Sequence, residues 1–198
     1  MKMNIQLLHN EMLKKGICFE VGLTNLELEA IEHLFAFHFP PDLKDFLKHG
    51  LPVSENEWKF PHWREALYKD KAKHILMEKL NWPHEGIAFD IQNGFWLDGW
   101  GAAPEEISDR LTRFKDYFKT YPQMIPIYAH RYIPTTPFES GNPVFSIMQT
   151  DIIYYGTNLI NYFCNEFNLD KKLYDQAQET PKHIKFWSYL TELDDNQD

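Results

Sequence analysis

Residues 124–163, MIPIYAHRYIPTTPFESGNPVFSIMQTDIIYYGTNLINYF, decide the fold. Three apolar runs of strand length, Met124 to Ile127, Val144 to Met148 and Ile152 to Tyr155, are separated by proline-rich and polar turns. From Gly156 the apolar spacing becomes helical, through Leu159, Phe163 and Phe167. The stretch therefore predicts strands that fold back on one another and lead into a helix. It carries no recognisable catalytic signature, which points towards a binding domain.

Working back from this stretch, residues 104–121 read as a helix, because Ile107, Leu111, Phe114, Phe118 and Tyr121 recur at helical spacing. Glu105, Glu106 and Asp109 suit its positive amino end, and Pro122 stops it. Before it, Gly86 to Ile91 reads as a strand, Gln92-Asn93-Gly94 as a tight turn and Phe95 to Leu97 as the returning strand, since Asn-Gly favours hairpins by tolerating positive φ. The segment WREALYKDKAKHILMEKLNWP reads as a helix ended by Pro83, preceded by a connector from Glu57 to Pro61.

The amino-terminal third reads as helical. Ile5, Leu8, Met12 and the closing Gly16 outline a first helix, followed by a short strand or connector at Ile17 to Phe19. Thr24 with Glu27 three residues later forms a capping-box pattern ahead of Leu28, Ile31 and Phe35. Pro40 and Pro41 stop that helix and open another, which buries Leu43, Phe46 and Leu47 and ends at Gly50. At the other end of the chain, Thr180-Pro181 reads as an N-cap and N1 proline for a last helix burying Ile184, Trp187 and Leu190. The expectation is one α+β domain, with a largely antiparallel or mixed central sheet flanked by helices. Residues 1–22 are read as an extension packing on that domain, 23–190 as the domain itself and 191–198 as a solvated tail.

Composition narrows the function classes. The 198 residues are 43% hydrophobic, 16% aromatic and 25% charged, which suffices for one large core. A net charge of −9 argues against a protein that grips nucleic-acid backbones with clustered Lys and Arg, and fits a basic partner better. Cys18 and Cys164 form no CxxC and read as free thiols, the second buried in a helix. Polar residues interrupt the apolar ones at the start of the chain, so no export signal or membrane span is read there and a cytoplasmic location is expected.

Chemistry is sparse. Nine histidines and two cysteines contain no HExxH or paired CxxC pattern. His33 and His38, five residues apart, would stand about 140° apart on a helix. No nucleophile elbow, P-loop or dinucleotide-binding turn occurs, so no metal or cofactor is expected. His130 beside Arg131 could act as a base or an anion contact, though an ion pair with Asp151 or another acid accounts for it as well. Asp90 and Asp98 straddle the expected hairpin and could approach each other across it as a carboxylate pair for acid and base work, though strand-end capping and solvated turn positions account for them better. Core packing is the default role for Trp82, Trp96 and Trp100, which could instead anchor an interface, with Trp100 the favoured contact because Asp98, Gly99 and Gly101 make its surroundings loop-like.

The segments GIAFDIQNGFWLDGWGAAPEE, MIPIYAHRYIPTTP and GNPVFSIMQTDIIYYG, in that order, resemble the SUKH superfamily, the Smi/Knr-type family. The resemblance covers roughly Leu23 to Phe167. It rests mainly on the Pro126 strand, the Gly141-Asn142 turn and the Tyr154-Tyr155-Gly156 corner. FPPDLKDFLKHG is similar to the family's proline-started helix but lacks the usual aromatic after the prolines, and Glu57 to Pro83 departs from shorter members. Membership implies a protein-binding α+β domain without shared catalytic residues. In bacteria it implies most often an immunity protein that neutralises a cognate toxin, frequently a nuclease, and in fungi control of cell-wall synthesis.

The leading expectation is thus an immunity protein, not an enzyme, that binds a basic toxin domain, with Trp100, Asp98, Tyr132, Asp151 and Tyr154 as contact residues. A regulatory or scaffold role in cell-envelope synthesis is the alternative, and a hydrolase using His130 with an acid is a third reading.

Overall fold

The computed structural model describes residues 4–170, Leu173 and 180–194. Helix α1 (Ile5–Lys14), capped by the Asn4 side chain, buries Leu8 and Met12 and leads into β1 (Cys18–Val21). The Thr24–Glu27 capping box closes reciprocally on α2 (Asn25–Phe35): Glu27 N donates to Thr24 Oγ1 at 3.2 Å and Thr24 N to Glu27 Oε2 at 2.8 Å. Pro41 opens α3 (Pro41–His49) at its first position, and the chain runs directly into β2 (Gly50–Val53), which pairs antiparallel with β1. Single 3-10 turns at Glu65–Leu67 and Asp98–Trp100 flank α4 (Asp70–Gln92).

Helix α5 (Ile107–Phe118) precedes a four-stranded antiparallel meander: β3 (Met124–Tyr128), β4 (Arg131–Pro134), β5 (Val144–Met148) and β6 (Asp151–Gly156). Strand β4 was not among the expected strands, since its four residues lie in a stretch rich in proline and threonine. Helix α6 (Leu159–Phe167) follows a sharp corner at Gly156, where an added Cβ would lie 2.6 Å from the Tyr162 backbone. The architecture is α+β, with antiparallel sheets throughout.

The meander has a core on each face. Alternation sends Ile125, Ile133 and Val144 into one, with α1, α2, α3 and α6; it sends Tyr132, Phe145, Ile147 and Ile152 into the other, with Phe114 of α5 and Trp187 and Leu190 near the end of the chain. Burial on both faces explains why β3 and β5 are almost uniformly apolar rather than alternating, whereas the edge strand β6 leaves Asp151 and Ile153 exposed.

Helix α4 reaches both cores, placing Ala72 and Leu76 in the first and Ile87, Ala88 and Ile91 in the second. This corrects the expected hairpin, because Pro83 does not end the helix and Gly86 to Ile91 continue it. An internal proline removes one helical hydrogen bond and typically costs about 3 kcal/mol. Here the freed carbonyl, that of Lys79, accepts the Tyr132 hydroxyl at 3.0 Å. Asn93-Gly94 then stops the helix: Asn93 N bonds back to Asp90 O at 2.9 Å, and Gly94 has a φ of +104°.

The last helix is also shorter than expected. Ile184, Trp187 and Leu190 are buried as anticipated, but α7 (Trp187–Asp194) begins only after Phe186, whose φ of +71° breaks any helix started at Thr180. The Phe186 ring stacks flat on Tyr121 at 4.0 Å, a contact that fixes this approach. Residues 191–194 are therefore helix with Thr191 buried, not a solvated tail, and 195–198 lie outside the described residues. Among the described residues no helix is long and apolar enough to cross a membrane.

Candidate protein-binding surface

Residues 54–62 fold into a short loop tied to itself. Trp58 N donates to Asn56 Oδ1 at 2.9 Å, Phe60 N to Ser54 Oγ at 3.3 Å, and His62 Nε2 lies 2.9 Å from Ser54 O. Phe60 is the buried anchor, with its ring 4.8 Å from that of Tyr128. Lys79 holds the loop from below: its Nζ donates to the carbonyls of Trp58 at 2.9 Å and Lys59 at 3.1 Å. With both ends fixed in this way, Trp58 is left 52% exposed.

Lys79 is almost wholly buried, at 1% exposure, and both hydrogen-bond acceptors are neutral carbonyls. Burial disfavours the ammonium and draws its pKa down to about 8. The same charge stands 5.8 Å from the Trp58 ring centroid, so the ring's negative face contributes to holding it.

Beside Trp58, α4 presents an exposed stripe. Glu78, Trp82, Glu85 and Phe89 follow at spacings of four, three and four, which places them along one side of the helix. Trp82 and Phe89 remain 38% and 53% exposed, and the Trp82 ring lies 6.1 Å from that of Trp58. Next to the stripe, Gly86 lets the β5–β6 turn press onto the helix, where an added Cβ would stand 2.9 Å from Gln149 Cα. Asp90 locks that turn by accepting from Thr150 N at 2.9 Å and Thr150 Oγ1 at 2.7 Å. Met148 and Asp151, the pair that closes this hairpin, are both exposed at its side.

The result is a rigidly backed surface of Trp58, Trp82, Phe89 and Met148 interspersed with Glu78, Glu85 and Asp151. Large aromatics at low entropic cost and acids at the rim suit contact with a positively charged macromolecule.

Of the expected contact residues, Asp151 belongs to this surface. Asp98 is exposed elsewhere, at the 3-10 turn after α4. Tyr154 points into the second core, where its hydroxyl bonds to Ser188 Oγ. Trp100 and Tyr132 are corrections: at 5% and 1% exposure neither can meet a partner. The indole of Trp100 donates to Tyr121 Oη at 2.8 Å and packs against Trp96, Phe114 and Tyr117, so its glycine neighbours shape a buried turn rather than an open loop. Tyr132 is the internal donor to Lys79.

The groups weighed for catalysis are also placed. Arg131 bonds to Glu166 at 3.2 Å and Ser146 Oγ at 2.8 Å and lies 3.7 Å above the Tyr155 ring, a clamp between the sheet and α6. His130 sits at the β3–β4 turn, where burial and then the Arg131 charge hold its pKa below the ordinary value, with Asp151 pulling the other way. Asp90 and Asp98 do not face each other, because no hairpin joins them. Cys164 is buried, and burial pushes its thiol up to about 11, which fits a packing role. Among the described residues no three His, Cys, Asp or Glu side chains gather to hold a metal ion.

The Trp58 side of the surface carries no local sequence mark, since the loop is ordered by its own polar side chains. The α4 stripe was hidden by the reading of Pro83 as a helix end; with the helix continued to Gln92, the four-three-four spacing is visible. Compared with protein-family models, curated proteins and solved structures, the chain matches none.

Proposed function

We propose that the chain is a protein-binding domain that docks a basic partner on the face built from α4 and residues 54–62, and that it acts as an immunity protein neutralising a toxin, as its resemblance to the SUKH superfamily implies. The observation that carries the reading is the exposed Glu78, Trp82, Glu85, Phe89 stripe beside Trp58. Four side chains of this kind at helical spacing form an anchor row for a partner. The net charge of −9 would speed encounter with a positively charged toxin domain.

Co-expression with the products of neighbouring genes tests it. A complex with one neighbour, protection of cells from that neighbour's toxicity, and loss of both on combining Trp82→Ala with Phe89→Ala are expected. A partner bound without any protection would favour envelope regulation instead. A complex that survives the double substitution would remove α4 from the interface.

A further inference from the structure

The β1–β2 ribbon forms a second feature of different shape. Cys18 pairs with Val53 and Glu20 with Leu51, so two-residue alternation puts these four side chains on one face. They floor an open groove of about 280 Å³, walled by Pro61 and with Glu55 and Glu65 also lining it. The floor is mostly apolar, while the charged lining is mainly acidic.

Arg64 also borders the groove, yet its charge is already committed. Its Nε lies 2.7 Å from Glu27, Nη1 2.9 Å from Glu20, and Nη2 donates to the carbonyls of Val21 and Gly22. The guanidinium is matched by two carboxylates, and four of its five N–H groups have acceptors. Glu65 shares an exposed pair with Lys69 at 3.1 Å and lies 4.0 Å from Nδ1 of His62, which also lines the groove, while Glu55 has no partner among the described residues. The groove therefore keeps a negative excess next to apolar surface, the complement of a cation on an alkyl stem.

We propose that this groove receives an arginine or lysine side chain from an extended segment of a basic protein partner, with the stem along Val53 and Cys18, the accessible part of the floor, and the cationic head against Glu55 and Glu65. The proposal rests on the protein-binding reading and supplies the chemistry of one contact. Its occupant follows from charge complementarity and from continuity: the loop that brings Glu55 and Pro61 to the groove also carries Trp58 to the α4 face. The open trough runs along a ribbon of four residue pairs, a span of about 13 Å that suits an extended chain.

Cys18 provides the readout, being exposed in the groove floor while Cys164 is buried. Alkylation of Cys18 by iodoacetamide is followed with the peptide acetyl-Ala-Arg-Ala-Arg-Ala-amide, with the same peptide carrying citrulline for arginine, and with arginine amide alone. The arginine peptide should slow alkylation severalfold at millimolar concentration and the citrulline peptide should not. Combining Glu55→Gln with Glu65→Gln should raise the peptide concentration needed by about tenfold. Equal protection by citrulline, or none by either peptide, overturns the proposal, and protection by arginine amide as strong as by the peptide overturns the extended-segment occupant. The assay involves neither the native partner nor α4. Protection retained while no natural partner binds would therefore sink the proposed function and leave the groove standing, and loss of protection with partner binding intact would do the reverse.

Discussion

The Tyr132 hydroxyl donates a 3.0 Å hydrogen bond to the main-chain oxygen of Lys79, the carbonyl that Pro83 leaves without its helical donor. One buried phenol thus allows α4 to run through a proline, and burial raises its pKa far above the ordinary range. Without that donor the carbonyl would be buried and unpaired at the middle of the helix that carries the candidate surface.

Tyr132→Phe should therefore lower stability by about 1–3 kcal/mol, the cost of orphaning a buried acceptor. Pro83→Ala restores an N–H at the position that ordinarily serves Lys79 O. In that background the same tyrosine substitution should cost less than half as much. Urea denaturation of the two single variants and the double variant measures the coupling, and simple additivity would show that the hydroxyl does not compensate for the proline.

Gly86→Ala offers a test of opposite sign to helix propensity. Alanine in a helix interior is favoured over glycine by about 1 kcal/mol. At this position its Cβ would meet the Gln149 main chain at 2.9 Å, and neither backbone can yield cheaply. The net result should be a loss of about 1–3 kcal/mol, with weakened protection from exchange of the Thr150 amide that Asp90 binds. A stabilised variant would mean that the turn is not pressed against α4.

Lys79 should give the protein a rise of stability in alkali. Its folded pKa is about 8, against 10.5 for the ordinary side chain. Between those values the unfolded chain binds more protons than the folded one, so unfolding becomes harder as pH increases through the window. The gain is on the order of a few kcal/mol at most. Lys79→Met should remove that rise from the pH dependence of the urea midpoint. A parallel curve for the variant would show that the ammonium is well solvated in the folded state.

His9 predicts a loss of stability on the acid side. Its ring meets those of Phe19 and His49 at 4.2 and 5.0 Å, and Nδ1 is buried without a hydrogen bond. Burial first, and His49 second, hold its pKa below 6.5. As pH falls from 6.5 the unfolded chain takes up the proton before the folded one, so α1 should loosen from the α3–β2 corner. His9→Gln should flatten thermal stability between pH 6.5 and 5, and an unchanged slope would assign the loss to other groups.

What the amino-acid order disclosed and concealed follows one rule. Thr24 with Glu27, Pro41 and the strand runs around Ile125 and Ile147 were legible because their signals are local: a cap, a fixed φ, an apolar run. Pro83 and Asn93-Gly94 misled because the same residues serve a helix here. Pro83 is tolerated through Tyr132, 49 positions later, and Gly86 is required by Gln149, 63 positions later. Trp100 misled for a related reason, as its burial comes from α5 and Phe186 rather than from the glycines beside it. The site suffered most because α4 carries it.

The surface itself should separate binding from stability. Trp82 and Phe89 protrude from a helix whose register is set by Tyr132, Gly86 and the buried Ile87 and Ile91, so neither exposed ring is needed to hold the fold. Truncating Phe89 to alanine should change folding stability by less than about 1 kcal/mol, and truncating Trp82, whose mostly covered ring packs on Trp58, by about 1–2 kcal/mol. An interface that uses them as anchors should instead lose about 1–4 kcal/mol per residue, roughly tenfold to several hundredfold in affinity. Glu78→Lys and Glu85→Lys should act mainly on the association rate and become milder in high salt, because rim charges steer encounter. Surface plasmon resonance with the partner at two ionic strengths resolves the two effects, and a pair of alanine variants that unfold the chain while leaving residual binding unaltered would show that the rings belong to the core.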